Sequence, residues 1–204
     1  ALHGLLTQCK YKGVSGTSVA QDFVELPSQI MEHWAVEPEV LKVYAKHYKT
    51  GEVIPDELIR KIQDQNTFNQ GFMTTELLAA ALLDMELHNL TDTASLDVVA
   101  FEKAVMDKLG LIPEIAPRYR ATYFNHILSG YAAGYYSYLW AEVLDADAFS
   151  VFKKNGIFDQ KTAQSFRDNV LSKGGTEHPM VLYKRFRGQE PTIDALLERN
   201  EIKV

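Results

Sequence analysis

The 204-residue chain is 46% apolar with a formal net charge of −6 at neutral pH, a balance that suits one sizeable core and argues against nucleic acid as a partner. No run reaches the roughly 18 apolar residues of a membrane span, so no membrane partner is expected. Cys9 is the single cysteine, which excludes an intrachain disulfide framework and a cysteine-based metal site; a reducing cytoplasmic compartment is the expectation, with the periplasm as the alternative.

The chain begins at Ala1 rather than Met, and a preceding segment is expected. GVSGTSVAQ at 13–21 is the best candidate for a loop or short strand. Asp22 is placed to cap a helix through about 35, with Phe23, Leu26, Ile30 and Trp34 along one side and Pro27 near the first turn, where proline is tolerated. A second helix is predicted over 38–48, stopped at Gly51, and a third over 54–63 behind Pro55. TTELLAAALLDMELH, from 74 or 75 to 88, is the most strongly helical run. Further helices are predicted at 95–109, 118–127, 131–154, 160–172, 178–186 and 191–199. The fold class is therefore all-α, an irregular multi-helix fold with a small loop or short-strand excursion near the N-terminus. The spacing is not heptad-regular, which argues against a coiled coil.

HILSGYAAGYYSYLW at 126–140 carries Tyr131, Tyr135, Tyr136 and Tyr138. On a helix from 131, Tyr131, Tyr135 and Tyr138 share one stripe at i, i+4 and i+7, while Tyr136 points elsewhere. Such a stripe usually packs in a core. A core helix normally uses Leu or Phe, however, because each buried phenol needs a hydrogen-bond partner. Three hydroxyls beside Ala132, Ala133 and Gly134 suit a polar cavity wall that donates to an oxyanion, and His126 lies close enough in sequence to reach it. No HExxH and no G-x-S-x-G occurs anywhere in the chain.

ALHGLL, SGTSVAQDFVELPSQIMEHWA, FNQGFMTTELLAAALLDM, PRYRATYFNHI and GYAAGYYSYLWAEVLDADAF extend from residue 1 to about 150, and KRFRGQEP follows near 184–191. In combination they resemble the C-terminal part of the thimet-oligopeptidase family of zinc metallopeptidases, and within it the bacterial peptidyl-dipeptidases (dipeptidyl carboxypeptidases). In that family ALHG directly follows the zinc-binding HEFGH helix. The resemblance therefore implies that residues 1–204 form a single C-terminal region of the catalytic domain, with the HExxH part lying before residue 1. That missing N-terminal part becomes an expected partner, alongside short peptide substrates. The face that meets it should be apolar or cleft-lining, so self-association of the chain alone is a further expectation.

The resemblance implies zinc as cofactor, with Glu25 of DFVELPSQ as the third ligand and the two histidines outside the chain. Ser28, one turn on, is placed to steady Glu25. Tyr138 is implied as the first oxyanion donor, with Tyr131 and His126 as further contacts of the reacting centre and Tyr135 as a substrate-binding neighbour. The link HILSGY holds a single Gly130 where peptidyl-dipeptidases have a longer glycine run, a departure that bears on His126 and Tyr131 more than on Tyr138. Arg118 and Arg120 of PRYR are candidates for a peptide's C-terminal carboxylate, or else surface cations. His3 is read as structural and His33 as packed or supporting; His47, His88 and His178 are assigned no chemistry. The implied activity is zinc-dependent hydrolysis releasing C-terminal dipeptides, with this chain inactive alone. The alternatives are an oligopeptidase cutting internal bonds and a non-catalytic helical interaction module.

Overall fold

A computed structural model describes residues 1–202. The fold is all-α: ten α-helices joined by short 3₁₀ turns and loops, with no strand among the described residues beyond an isolated antiparallel bridge between Lys46 and Val53. The helices are α1 (Leu2–Leu5), α2 (Leu26–Val36), α3 (Pro38–Tyr44), α4 (Asp56–Gln65), α5 (Gln70–His88), α6 (Val98–Leu109), α7 (Ser137–Asn155), α8 (Gln160–Phe166), α9 (Pro179–Arg187) and α10 (Asp194–Arg199). The chain divides into two compact units, one formed by Ala1–Phe68 with Ala141–Val204 and the other by Asn69–Trp140.

The first unit is built on aromatic packing. Leu26 and Ile30 occupy one face of α2 and are fully buried, as are Leu144 and Ala148 of α7. The Trp34 ring meets Phe149 and Phe152 edge-on at 4.7 and 4.8 Å, and Phe166 meets Phe186 at 5.1 Å. Each such burial contributes about 1.5–3 kcal/mol, and edge-to-face geometry adds to it. Two acids of α7 are buried with cationic partners. Asp147 accepts from the Tyr183 hydroxyl (2.6 Å) and from Arg187 through Nε and a terminal nitrogen (both 2.9 Å). Asp145 accepts from Arg199 (2.9 Å) and lies 2.6 Å from Nε2 of His33, whose ring stacks on Phe149.

Several helices start or stop away from their predicted ends, each for a local reason. Pro27 has no N–H to donate to Phe23, so α2 begins at Leu26 after a 3₁₀ turn at Gln21–Phe23, and Asp22 does not cap it. Helix α3 ends at Tyr44 because the backbone turns extended at Ala45, whose carbonyl accepts from Ile54 N–H, and Gly51 takes φ +75 in the returning turn. The stretch 13–21 forms no strand. Its Val14 carbonyl accepts from Gly175 N–H, and a side chain at Gly174 or Gly175 would collide with Val14 or Ser18 carbonyl oxygens. The predicted helix 160–172 is α up to Phe166 and then a π-helical turn over Arg167–Leu171.

The second unit departs most. No α-helix forms at 118–127, which instead makes 3₁₀ turns at Ala121–Tyr123 and Asn125–Leu128. Helix α7 starts at Ser137, so Tyr131 and Tyr135 lie on an irregular link and not on a helical stripe. In both places buried carboxylates capture the backbone donors a helix would need: Glu102 accepts from Ala121 N–H (2.6 Å), and Asp84 accepts from Ala133 N–H (3.0 Å) and Tyr135 N–H (2.9 Å). Ala133 sits at φ +50, a left-handed conformation that stops a right-handed helix from running through it.

Candidate functional site

The aromatic cluster of the second unit grows from α5. Ala80 and Ala81 present a small, flat surface, against which Phe124, Ile127 and Tyr135 are buried and Leu77, Leu87, Tyr119 and Tyr138 pack partly buried. Although no single helix carries both, Tyr131 and Tyr138 still meet: their rings stack with centroids 5.4 Å apart and planes 1° apart. Tyr135 lies edge-on to Tyr138 at 5.1 Å. The half-buried His126 ring lies 5.8 Å from Tyr131 and 5.5 Å from Tyr135. The structure thus brings together His126, Tyr131, Tyr135 and Tyr138, and leaves Tyr136 exposed.

Burial pushes the Tyr135 phenol up to about 12, against the opposing pull of the nearby Arg118 guanidinium. This phenol is a donor, not a phenolate, at neutral pH. The two arginines of PRYR part ways. Arg120 Nε lies 2.6 Å from the buried Glu102 carboxylate and is engaged there, whereas Arg118 makes a looser 3.7 Å pairing with Glu76. Arg118 is therefore the better placed of the two to take an incoming carboxylate.

Glu25 belongs to the first unit. It sits at the N-cap of α2, half-exposed, and Ser28 Oγ donates to its Oε2 at 2.8 Å and to its carbonyl at 3.0 Å. A carboxylate oxygen steadied by a neighbouring hydroxyl is a suitable zinc donor. Among the described residues no three His, Cys, Asp or Glu side chains lie together as a metal site. His3 is buried in α1, its ring nitrogens have no hydrogen-bond partner among the described residues, and burial holds its imidazole below the usual histidine range. A cavity of about 390 Å³ in the first unit is bordered by His33, Glu37, Phe149, Lys153 and Arg199; of the histidines weighed from sequence it holds His33, read there as packed or supporting, and it holds neither Glu25 nor the tyrosines.

The family model described as "Peptidase family M3" matches residues 1–202. The chain belongs to peptidase family M3. It is 43% identical over 206 residues to dipeptidyl carboxypeptidase of Escherichia coli (strain K12), covering 100% of this chain and 30% of that protein. It is 44% identical over 200 residues to dipeptidyl carboxypeptidase of Salmonella typhimurium, covering 97% of the chain and 29% of the relative. It is 45% identical over 207 residues to oligopeptidase A of Salmonella typhimurium, covering 99% and 30%. The chain thus spans about 30% of the length of these relatives. M3 membership bears out the resemblance drawn from ALHGLL, DFVELPSQ and GYAAGYYSYLW. Two relatives with different names match almost equally, so identity alone does not separate dipeptide release from internal cleavage.

Asp84 and Glu102 are the residues that reading the sequence passed over. Asp84 stands in LLAAALLDM one helical turn after Ala80, on the buried face. A charge in the apolar phase of a helix is the signal that could have found it.

Proposed function

We propose that this chain is part of the catalytic region of a zinc peptidase that releases dipeptides from peptide C-termini. The observation that carries the reading is the meeting of Tyr131, Tyr135 and His126 with Tyr138, at the start of α7, in a family M3 chain. Zinc, when bound, supplies a Lewis acid that activates water and polarises the scissile carbonyl; Glu25 is its carboxylate ligand from this chain, the histidine ligands belonging to an HExxH helix.

The chain's own residues do the rest. Tyr138 donates a hydrogen bond to the oxygen that becomes negative as the carbonyl is attacked. Tyr131, stacked on it, fixes the phenol's direction and contacts the substrate beside the cut, with His126 at its edge. Tyr135 stays protonated and packs beneath them as a rigid floor. Arg118 takes the free carboxylate of the departing dipeptide, which is the group that defines the specificity.

The test uses the full-length protein with paired peptides, one with a free C-terminus and one amidated. Dipeptide release from the free peptide, abolished by amidation, is the expected result. Equal cleavage of both would move the assignment to the oligopeptidase reading, since oligopeptidase A matches the chain about as well as dipeptidyl carboxypeptidase does. Absence of metal-dependent cleavage of either peptide would overturn both.

A further inference from the structure

We propose that Asp84 is the positioning residue of the tyrosine segment, a buried double acceptor that holds the middle of the loop between Tyr131 and Tyr138. The carboxylate is 0% exposed. Its two oxygens do separate work: Oδ1 accepts from Ala133 N–H at 3.0 Å and Oδ2 from Tyr135 N–H at 2.9 Å. Nδ1 of His88, one turn further along α5, lies 2.8 Å from Oδ1 and 2.9 Å from the Asp84 carbonyl. Both neighbours are acceptors, so this nitrogen carries the proton and donates. Two backbone N–H groups converging on one anion form a concavity of the kind that binds anions elsewhere. Here the anion is supplied from the chain itself.

The geometry explains why the segment holds a conformation its sequence does not favour. Ala133 adopts φ +50, a left-handed conformation that crowds an alanine's Cβ against the following carbonyl oxygen. It persists because that conformation aims its N–H at Asp84. From the two anchored amides the chain continues by short turns, Ser137 N–H to the Gly134 carbonyl (3.1 Å) and Trp140 N–H to the Tyr136 carbonyl (3.1 Å), into α7. Tyr131 lies two residues before the first anchored amide and Tyr138 three after the second. The 1° stack of their rings thus closes a loop whose midpoint is fixed to α5. Glu102 holds the upstream end of the same aromatic segment through Ala121 N–H and Arg120. Asp84 grips the part that carries the phenols, through the Ala133 and Tyr135 amides. An asparagine fits the space but presents one acceptor and one donor, so it sets an NH₂ against one of the two N–H groups.

The inference rests on the reading of Tyr138 as the oxyanion donor, and its test separates the two. In the full-length protein, Asp84→Asn, Tyr138→Phe and the double variant are compared by steady-state kinetics and by hydrogen exchange. Asp84→Asn is expected to lower kcat at least about tenfold with KM within about threefold, because a displaced phenol fails the transition state and not the bound substrate. Added to Tyr138→Phe, it should cost less than about a further threefold, since a residue acting through Tyr138 has nothing left to position. Exchange over 131–136 should accelerate at least about tenfold while α5 and α6 stay within about threefold. Multiplicative losses in the double variant, or exchange at 131–136 unchanged, would overturn the proposal. If Tyr138→Phe retains its kcat, the oxyanion reading fails and the exchange result alone judges the anchor. If Asp84→Asn does not fold, the unaltered protein decides: Ala133 and Tyr135 amides must exchange at least about tenfold more slowly than Ala132, and comparable rates refute the anchor.

Discussion

Replacing Tyr138 by Phe separates the roles of ring and hydroxyl. The ring's work is packing: it stacks on Tyr131 at 5.4 Å and meets Tyr135 at 5.1 Å, and a phenylalanine ring keeps both contacts. Losing one hydroxyl hydrogen bond costs at most about 1.5 kcal/mol of stability, a fall in melting temperature of no more than about 6 °C for a chain of this size. The same hydroxyl, if it donates to the developing oxyanion, contributes about 2.7–4 kcal/mol to the transition state, or 10²–10³ in kcat. The assay is steady-state hydrolysis by the full-length protein beside a thermal melt of the same preparation. Expected are a kcat lowered by about 10²–10³, KM within about threefold and a nearly unchanged melt. Tyr136→Phe is the control, since Tyr136 is the more exposed neighbouring phenol; its kcat should stay within about twofold. A Tyr138→Phe enzyme that keeps more than about a third of its kcat would refute the assignment.

Tyr183→Phe removes the hydroxyl that donates to the buried Asp147 carboxylate at 2.6 Å and to the Leu144 carbonyl at 3.2 Å. A charge-assisted bond of that kind is worth about 1.5–3 kcal/mol, so the melting temperature should fall by about 3–12 °C, and an unchanged melt would show that Arg187 alone satisfies Asp147. Tyr135 should ionise in a step near 12 in a phenolate absorbance titration, and that step should disappear in Tyr135→Phe. Its folded value is raised, so the unfolded chain releases its proton first; the associated stability is intact below about 10 and is lost as pH rises from about 10 to 12. Ionisation of all tyrosines together near 10 would contradict the burial argument. Residues 1–204 alone should retain no stoichiometric zinc after gel filtration, because Glu25 supplies one donor where a site needs at least three; one zinc per chain, lost in Glu25→Ala, would contradict this.

Helix identity was legible wherever the apolar period ran uninterrupted, as in ELLAAALLDM and SYLWAEVLDADAF. Helix ends were less so. Pro27 delays α2 through the N–H it lacks, and Ala45 ends α3 by pairing its carbonyl with Ile54, a partner nine residues away that no local pattern announces. The tyrosines make the same point within the site. Their i, i+4, i+7 spacing suggested a helical stripe, yet Tyr131 and Tyr135 lie on an irregular link. Their rings converge because a loop folded back on itself brings residues seven apart into contact as effectively as two helical turns. The grouping of Tyr131, Tyr135, Tyr138 and His126 was thus reached from sequence through a secondary structure that the segment does not adopt.

What the apolar pattern hid is the role of acids within it. Asp84, Glu102, Asp145 and Asp147 lie on the buried faces of α5, α6 and α7, each at most 3% exposed. A buried carboxylate needs hydrogen-bond donors, and the N–H groups of its own helix interior are already paired. Its donors must come from cationic or phenolic side chains or from backbone that is not helical. Asp145 and Asp147 take the first course, with Arg199, Arg187 and Tyr183. Asp84 and Glu102 combine a side-chain partner, His88 and Arg120, with the second course, and the segments they capture, 133–135 and 120–121, are where the predicted helices failed to form. An acid in the apolar phase of a long helix is therefore a sequence signal with structural content: it implies a cation or a stretch of unwound backbone docked against that face. Applied here, it turns the Asp in LLAAALLDM from an ordinary helix residue into the reason that GYAAGYY is a loop.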